Sequence, residues 1–351
     1  MPSIAKPPVT HPSLHRNEIG LTVRDYEGAM STLCAGCGHD SITAALIRAL
    51  WELSMTPHMI AKLSGIGCSS KTPTYFVSGA HGFNSAHGRM PTLATGANAA
   101  NRDLTYVGIS GDGDSLSIGL GHMCHAIRRN VRMLYVIENN GVYGLTKGQF
   151  SASADIGSKP KKGEPNQITP IDPVMLALSI GATFVARSFS GDKNQLVPIL
   201  KAALTHRGFA LVDVISPCVT FNDHEGSTKS YLYTREHEIK AVDADFVMPA
   251  SQILATIPED GVSAVPMHDG SIVRFRSLPA NYDPTDRLSV TEYLQQRHAA
   301  GEVVTGLLFV DESVEDAHEL NTTTATPLSQ VPFEELCPGA EALDKLQDSF
   351  R

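Results

Sequence analysis

Two nearly unbroken apolar runs, LTYVGIS (104–110) and VRMLYVIENN (131–140), flank a helical pattern, LSIGLGHMCHAIRRN (116–130), with GDGDS as the turn after the first run. Runs apolar on both faces suit the central strands of a covered parallel sheet, and strand, helix and strand in this order make a right-handed βαβ unit. The pattern resumes with a helix over 172–181, a strand over 182–188, a helix over 194–206 and a strand over 209–217. Upstream, DSITAALIRALWELS (40–54) has helical periodicity behind Asp40, which can cap its first turn. The short apolar run HMIAKLSG (58–65) ends in a Gly/Ser loop, a Gly-, His- and Asn-rich stretch covers 78–89, and TLATGANAANR (92–102) reads as a small-residue helix. These elements predict an α/β fold with a doubly wound, mostly parallel sheet over residues 30–230.

Outside that core the pattern weakens. Residues 1–29 are expected to form an irregular N-terminal arm that wraps something or stays mobile. SKPKKGEPNQITP (158–170) reads as a long functional or partner-ordered loop. A smaller C-terminal region, 231–320, carries predicted helices at 234–240, 247–257 and 291–300 and predicted strands at 271–277 and 306–312, and an irregular tail follows over 321–351. Of the 351 residues 42% are hydrophobic and 19% charged, which excludes a disordered chain. A net charge of −9 argues against nucleic acid as a partner. No run approaches the roughly 18 apolar residues of a membrane span, and the proline-rich N-terminus lacks a signal peptide's apolar segment, so a soluble cytoplasmic protein is expected.

Gly111-Asp112-Gly113 follows one strand and Asn139-Asn140 follows the next. In a parallel βαβ unit both loops leave the same sheet edge, so Asp112 and Asn140, 28 positions apart, are expected to converge where α/β sheets bind ligands. Glycines admit a diphosphate close to the backbone and a helix N-terminus favours its charge, while a carboxylate with an amide oxygen suits Mg²⁺. The arrangement resembles the thiamine diphosphate-binding motif, which implies Mg²⁺ ligation by Asp112, Asn140 and the carbonyl of Val142. Asp114 also reads simply as a helix N-cap.

The cysteines are too sparse for a disulfide scaffold. Cys34 and Cys37 form a C-x-x-C ahead of a helix, Cys68 lies in the glycine loop GIGCSSK, and Cys218 ends the last strand of the α/β domain. Four thiols on three loops fit zinc or a cubane iron–sulfur cluster, and ligand type alone does not choose between them. Cys124 reads as a buried helix residue, and Cys337 has no evident role.

In this order, CAGCGH, GIGCSSK, HGRMPTLATG, GDGDSLSIGLGHMCHAIRRN, ENNGVYGLTKGQ and SPCVTFN together resemble the β subunit of two-subunit 2-oxoacid:ferredoxin oxidoreductases over roughly residues 30–230. The resemblance implies that Cys34, Cys37, Cys68 and Cys218 hold a [4Fe–4S] cluster. It also implies that Ile66, Gly67, Cys68, Ser69, His87, Gly111, Gly113, Asp114, Gly144 and Leu145 line the thiamine cofactor. Ala35 stands where many relatives carry proline, a change that touches loop rigidity and not ligation. The implied reaction is coenzyme A-dependent oxidative decarboxylation of a 2-oxoacid with electrons passed to ferredoxin, possible also in the carboxylating direction.

Only one strong α/β core is visible, so an α subunit is expected to supply the pyrimidine-binding domain and its activating glutamate, in an (αβ)₂ assembly. Lys71 and Lys147 are the candidate substrate cations; two cations suit a dicarboxylate, and the resemblance leans toward 2-oxoglutarate. The alternatives are a pyruvate or broad 2-oxoacid enzyme and a non-catalytic zinc- or cluster-bearing subunit. Arg89 is divided evenly between a phosphate or α-subunit contact and an ordinary ion pair. His122 and His125 read as packing residues, and of His81 and His87 only His87 falls on the family motif.

Overall fold

The computed structural model describes residues 11–158, 164–225, 227–247, 263–266, 272–276 and 282–351. Its strands are β1 (Ile60–Ser64), β2 (His81–Asn84), β3 (Thr105–Gly111), β4 (Met133–Asn139), β5 (Val142–Tyr143), β6 (Gln149–Phe150), β7 (Phe184–Phe189), β8 (Phe209–Ile215), β9 (Glu238–Val247), β10 (Ser263–Pro266), β11 (Ile272–Arg276) and β12 (Val303–Val310). Its helices are α1 (Gly38–Glu52), α2 (Met90–Ala100), α3 (Leu120–Arg128), α4 (Pro173–Ser179), α5 (Lys193–Thr205), α6 (Tyr231–His237), α7 (Arg287–Ala299), α8 (Ala317–Leu320), α9 (Phe333–Leu336) and α10 (Ala340–Asp348). None of the described helices is long and apolar enough to cross a membrane.

A ten-stranded sheet runs in the order β10-β11-β9-β12-β7-β8-β4-β3-β1-β2. From β7 to β2 every pairing is parallel, as the apolar runs predict. All seven residues of β4 and of β8 are buried, so these two strands carry the centre of the core, with Val136, Ile137, Leu211 and Val212 fully enclosed. Because the strands are parallel, Gly65, Asp112, Asn140 and Ser216 all leave at one edge.

The chain after residue 230 extends this sheet. β12 pairs antiparallel with β7, β9 lies parallel to β12, and β11 and β10 follow antiparallel. The strand expected at 271–277 contains β11, and the one expected at 306–312 overlaps β12, which starts at Val303 and ends at Val310. The helix expected over 234–240 stops at His237, where pairing of Glu238 with Val303 takes the backbone into β9. The helix expected over 247–257 lies outside the described residues, apart from Val247 at the end of β9. The tail, expected to be irregular, carries α9 and α10 with Phe333, Leu343, Leu346 and Phe350 exposed.

Two further differences bear on the site. Instead of one helix from Leu116, a π-type turn spans Gly113–Ile118 and α3 begins only after Gly119, whose N–H donates to Asp114 O at 2.8 Å. A Cβ on Gly119 would stand 2.6 Å from that carbonyl and 2.9 Å from Gly88 O, so glycine permits the close approach. The described part of the arm wraps this chain's own α1: the Tyr26 hydroxyl donates to Met55 O at 2.6 Å, and Trp51 Nε1 donates to Leu21 O at 3.0 Å.

Arg187 on β7 ties the middle of the sheet to α4. Its guanidinium donates to Asp213 at 2.8 Å and to Asp172 at 2.6 Å. Asp172 also caps α4 through Val174 N and Met175 N. Removing the cation leaves the buried Asp213 carboxylate without its counter-charge, so Arg187→Met is expected to cost about 3–5 kcal/mol. An unfolding free energy, measured by denaturant titration, that falls by less than a third of that amount would contradict this.

Candidate functional site

Asp112 sits directly after β3 and is buried to 1% exposure. Its Oδ2 accepts from Gly141 N at 2.9 Å, from Ser153 Oγ at 2.6 Å and from Ser151 Oγ, whereas Oδ1 has a long contact from Asn140 N at 3.4 Å. Burial pushes the Asp112 pKa up and these donors offset part of that. Asn140 Oδ1 accepts from Val142 N at 3.0 Å, and its own carbonyl accepts from Asn222 Nδ2 at 2.8 Å. Asp112 and Asn140 therefore meet, as their spacing predicts. A carboxylate, a carboxamide and a neighbouring carbonyl form an oxygen donor set that fits Mg²⁺, and an enclosed carboxylate gains from such a counter-charge.

A cleft at this edge brings together Ile66, Gly67, Cys68, Ser69, Gly111, Asp112, Gly113, Asp114, Asn140, Val142 and Gly144. Eleven predicted residues thus share one space. Glycine is required in this wall: a Cβ on Gly113 would lie 2.6 Å from the Tyr143 ring, and one on Gly65 would lie 1.7 Å from Asp114 Oδ2. Asp114 is no N-cap. It lies in the π-type turn and accepts from Gly88 N at 2.7 Å, Ile66 N at 3.2 Å and Ser110 Oγ at 2.7 Å, so it clamps three loops together.

His87 and Leu145 stand outside the wall. His87 Nδ1 pairs with Asp114 and its ring is edge-on to Tyr143 at 5.9 Å, while Leu145 is exposed on the β5–β6 hairpin. Lys147 is exposed on the same hairpin with φ +79°, and Lys71 lies on a 3₁₀ turn where its N–H donates to Cys68 O at 3.1 Å. Neither lysine lines the cleft. His122 and His125 lie on α3, away from it; His125 is exposed, so it does not pack as expected, and His122, half-buried, has Nδ1 2.9 Å from Thr92 Oγ1. Arg89 precedes α2, exposed and without a capping side-chain bond, near Phe83 and Leu93, and His81 is exposed in β2.

Three cleft residues escaped the sequence reading: His39, Glu138 and Tyr143. Glu138 is wholly buried and accepts from Thr72 Oγ1 at 3.0 and 3.1 Å; burial pushes its pKa well up. His39 lies 2.6 Å from Ser216 Oγ and 3.6 Å from Glu138, and burial holds its pKa down at about 4. An acid closing an otherwise apolar strand was the available signal for Glu138.

All four loop cysteines are free thiols. A Cβ on Gly144 would lie 3.3 Å from Cys68 Sγ and 3.8 Å from Cys218 Sγ, which puts both sulfurs beside one turn. The C-x-x-C loop meets the Cys218 loop: Gly38 N donates to Pro217 O at 3.4 Å and Thr220 Oγ1 to Cys34 Sγ at 3.7 Å. Burial, with the neighbouring acids and thiols, pushes Cys37 up to about 12. Three loops bearing soft donors thus meet beside the oxygen site, a donor chemistry that fits an iron–sulfur cluster. Among the described residues no three His, Cys, Asp or Glu side chains gather closely enough to hold a single metal ion. Cys124, on α3, is partly exposed and lies elsewhere.

Residues 65–214 match the model of the thiamine pyrophosphate enzyme C-terminal TPP-binding domain. The chain is 44% identical to the β subunit of 2-oxoacid:ferredoxin oxidoreductase from Saccharolobus solfataricus over 59% of this chain and 67% of that one. It is 44% identical to 2-oxoglutarate oxidoreductase subunit KorB of Mycobacterium tuberculosis over 54% of this chain and 51% of that one, and 35% identical to 2-oxoglutarate synthase subunit KorB of Methanocaldococcus jannaschii over 54% and 69%. The chain thus spans between about half and two thirds of these relatives' length. A solved 2-oxoglutarate:ferredoxin oxidoreductase from Magnetococcus marinus, with 2-oxoglutarate, coenzyme A and succinyl-CoA bound, superposes with a TM-score of 0.68 at 31% identity, over 89% of this chain and 92% of that one. This chain belongs to the β subunits of the 2-oxoacid:ferredoxin oxidoreductases.

Proposed function

We propose that this chain is the β half of a cytoplasmic 2-oxoglutarate:ferredoxin oxidoreductase, which converts 2-oxoglutarate and coenzyme A to succinyl-CoA and CO₂ while two electrons leave singly for ferredoxin. The observation that carries this reading is the convergence of Asp112 and Asn140 in one cleft with Cys68. An electron-rich site for a diphosphate cofactor beside a one-electron acceptor suits oxidation better than simple decarboxylation. Thiamine diphosphate, when bound, supplies the electron sink for loss of CO₂. Asp112, Asn140 and the Val142 carbonyl would hold Mg²⁺ on its diphosphate; Cys34, Cys37, Cys68 and Cys218 would hold the [4Fe–4S] cluster. Ile66 to Ser69, Gly111, Gly113, Asp114 and Gly144 would form the wall against the cofactor, with His87 and Leu145 at its rim.

Activation of the cofactor needs a carboxylate on its pyrimidine, which an α subunit would bring, in an (αβ)₂ assembly closing over the cleft. Such closure would also draw Lys71 and the hairpin bearing Lys147 toward the substrate carboxylates. The reading is tested on the complex with its partner, purified anaerobically, with a panel of 2-oxoacids, coenzyme A and a viologen acceptor. 2-Oxoglutarate is expected to give the highest kcat/KM; a preference for pyruvate or the absence of acyl-CoA would overturn the assignment. Lys71→Met or Lys147→Met is expected to raise KM for 2-oxoglutarate about tenfold, the value of one charge-assisted hydrogen bond, and to leave 2-oxobutyrate within about twofold. Equal effects on both substrates would remove the lysines from the dicarboxylate site.

A further inference from the structure

The Mg²⁺ assignment leaves one question about Asp112: what holds its carboxylate with one oxygen position open toward the ion. Three donors, Gly141 N, Ser151 Oγ and Ser153 Oγ, converge on Oδ2, while among the described residues the contact another residue makes to Oδ1 is the long one from Asn140 N. The two oxygens are chemically equivalent, so what matters is that one edge of the carboxylate is held and the other left open; the two hydroxyls hold its plane against tilting. The hydroxyls are themselves held. Ser153 Oγ lies 2.9 Å from Asn139 Oδ1, Asn139 Nδ2 donates to Asp213 Oδ1 at 2.9 Å, and Asp213 Oδ2 takes Arg187 Nε at 2.8 Å. Ser153, Asn139 and Asp213 are each no more than 3% exposed, so water does not compete for these bonds.

The amide of Asn139 has one orientation here. Asp213, salt-bridged to Arg187, accepts only, so Asn139 must turn its NH₂ toward Asp213 and its oxygen toward Ser153. Ser153 carries one hydroxyl hydrogen and faces two acceptors, Asn139 Oδ1 and Asp112 Oδ2. Its donation to Asp112 is therefore shared, which fixes the carboxylate in place without satisfying all of its charge. Ser151 Oγ, 3.1 Å from Ser153 Oγ, completes the clamp.

We propose that Ser151 and Ser153, anchored through Asn139, Asp213 and Arg187, are positioning residues that lock Asp112 with Oδ1 presented to the Mg²⁺ of the diphosphate cofactor. This rests on the assignment of Asp112 as a Mg²⁺ ligand. Groups that orient a metal ligand from behind commonly set 10- to 100-fold of metal affinity.

The test uses the complex with its partner subunit, depleted of divalent ions and titrated with Mg²⁺ at fixed thiamine diphosphate, with cofactor binding followed by calorimetry and turnover measured in parallel. Ser153→Ala and Ser151→Ala are each expected to raise the half-saturating Mg²⁺ concentration about tenfold, and the double variant more. At saturating Mg²⁺, cofactor binding and kcat return to within about twofold of the parent, and iron content is unchanged. Ser153→Thr, which keeps the hydroxyl, is expected to stay close to the parent. A merely structural role would lower kcat at every Mg²⁺ concentration, and that result overturns the proposal. Asp112→Asn separates the two levels. If it keeps the parental Mg²⁺ response, the ligand assignment itself fails; if it loses the response while both alanine variants keep theirs, only the positioning role fails.

Discussion

Replacing Asp112 by Ala is expected to abolish Mg²⁺-dependent binding of thiamine diphosphate and to lower turnover by at least about 10³-fold, roughly the 4 kcal/mol that a bound cation's charge stabilisation supplies. The expectation follows from the enclosure of the carboxylate: it lies at 1% exposure, and the cleft's other two carboxylates are engaged elsewhere, Asp114 with Gly88 N, Ile66 N and Ser110 Oγ and Glu138 with Thr72 Oγ1. The truncation also strands Gly141 N and the Ser151 and Ser153 hydroxyls, so the 141–153 segment loosens and adds to the loss. The readout that isolates chemistry from unfolding is the cluster absorbance, because the thiols sit on other loops and are expected to keep it. A variant that loses cofactor binding but keeps its iron is the expected result. A variant that turns over at the parental rate would sink both the metal assignment and the reaction built on it.

What the sequence made legible follows one physical line. β3, β4, β7 and β8 are buried on both faces, and a strand buried on both faces must be apolar almost throughout, so the apolar runs and the strands coincide. The parallel connection then forces Asp112 and Asn140 to one edge, which is why 28 residues of separation were readable as a contact. β2 left no such mark: its four residues, His81 to Asn84, are all exposed at the sheet edge, so nothing demands an apolar pattern. The π-type turn at Gly113–Ile118 was hidden because helical periodicity continues through it; only the contact of Gly119 with Gly88 reveals the break. Asp114 looked like a cap from its place after a turn, and its true partners, Gly88 N and Ile66 N, come from loops that periodicity cannot bring together. The antiparallel pairing of β12 onto β7 and the parallel pairing of β9 onto β12 were likewise invisible, since addition of strands to a sheet edge depends on tertiary contact and not on local propensity.

Changing Cys218 to Ala is expected to remove the cluster, with iron and sulfide falling from about four of each per chain toward zero and viologen reduction falling by more than about 10³-fold. This cysteine's loop touches both the C-x-x-C loop and the oxygen site. Its neighbour Pro217 accepts from Gly38 N beside the C-x-x-C, and Thr220 Oγ1 donates to Cys34 Sγ. Asn222, whose N–H donates to Cys218 O at 2.9 Å, sends its side chain to Asn140 O at 2.8 Å. Loss of the thiol therefore releases a loop that also braces the oxygen site, and half-saturating Mg²⁺ is expected to rise while saturating Mg²⁺ still restores cofactor binding. Two thiols outside these loops serve as controls: Cys124→Ser on α3 and Cys337→Ser in the exposed tail should keep iron, sulfide and turnover at parental levels. One firmly bound zinc in place of four irons in the parent would instead favour the interaction-subunit reading. A Cys218→Ala chain that kept four irons and reduced viologen at the parental rate would remove Cys218 from the ligand set and leave the Gly144 turn with a single thiol partner.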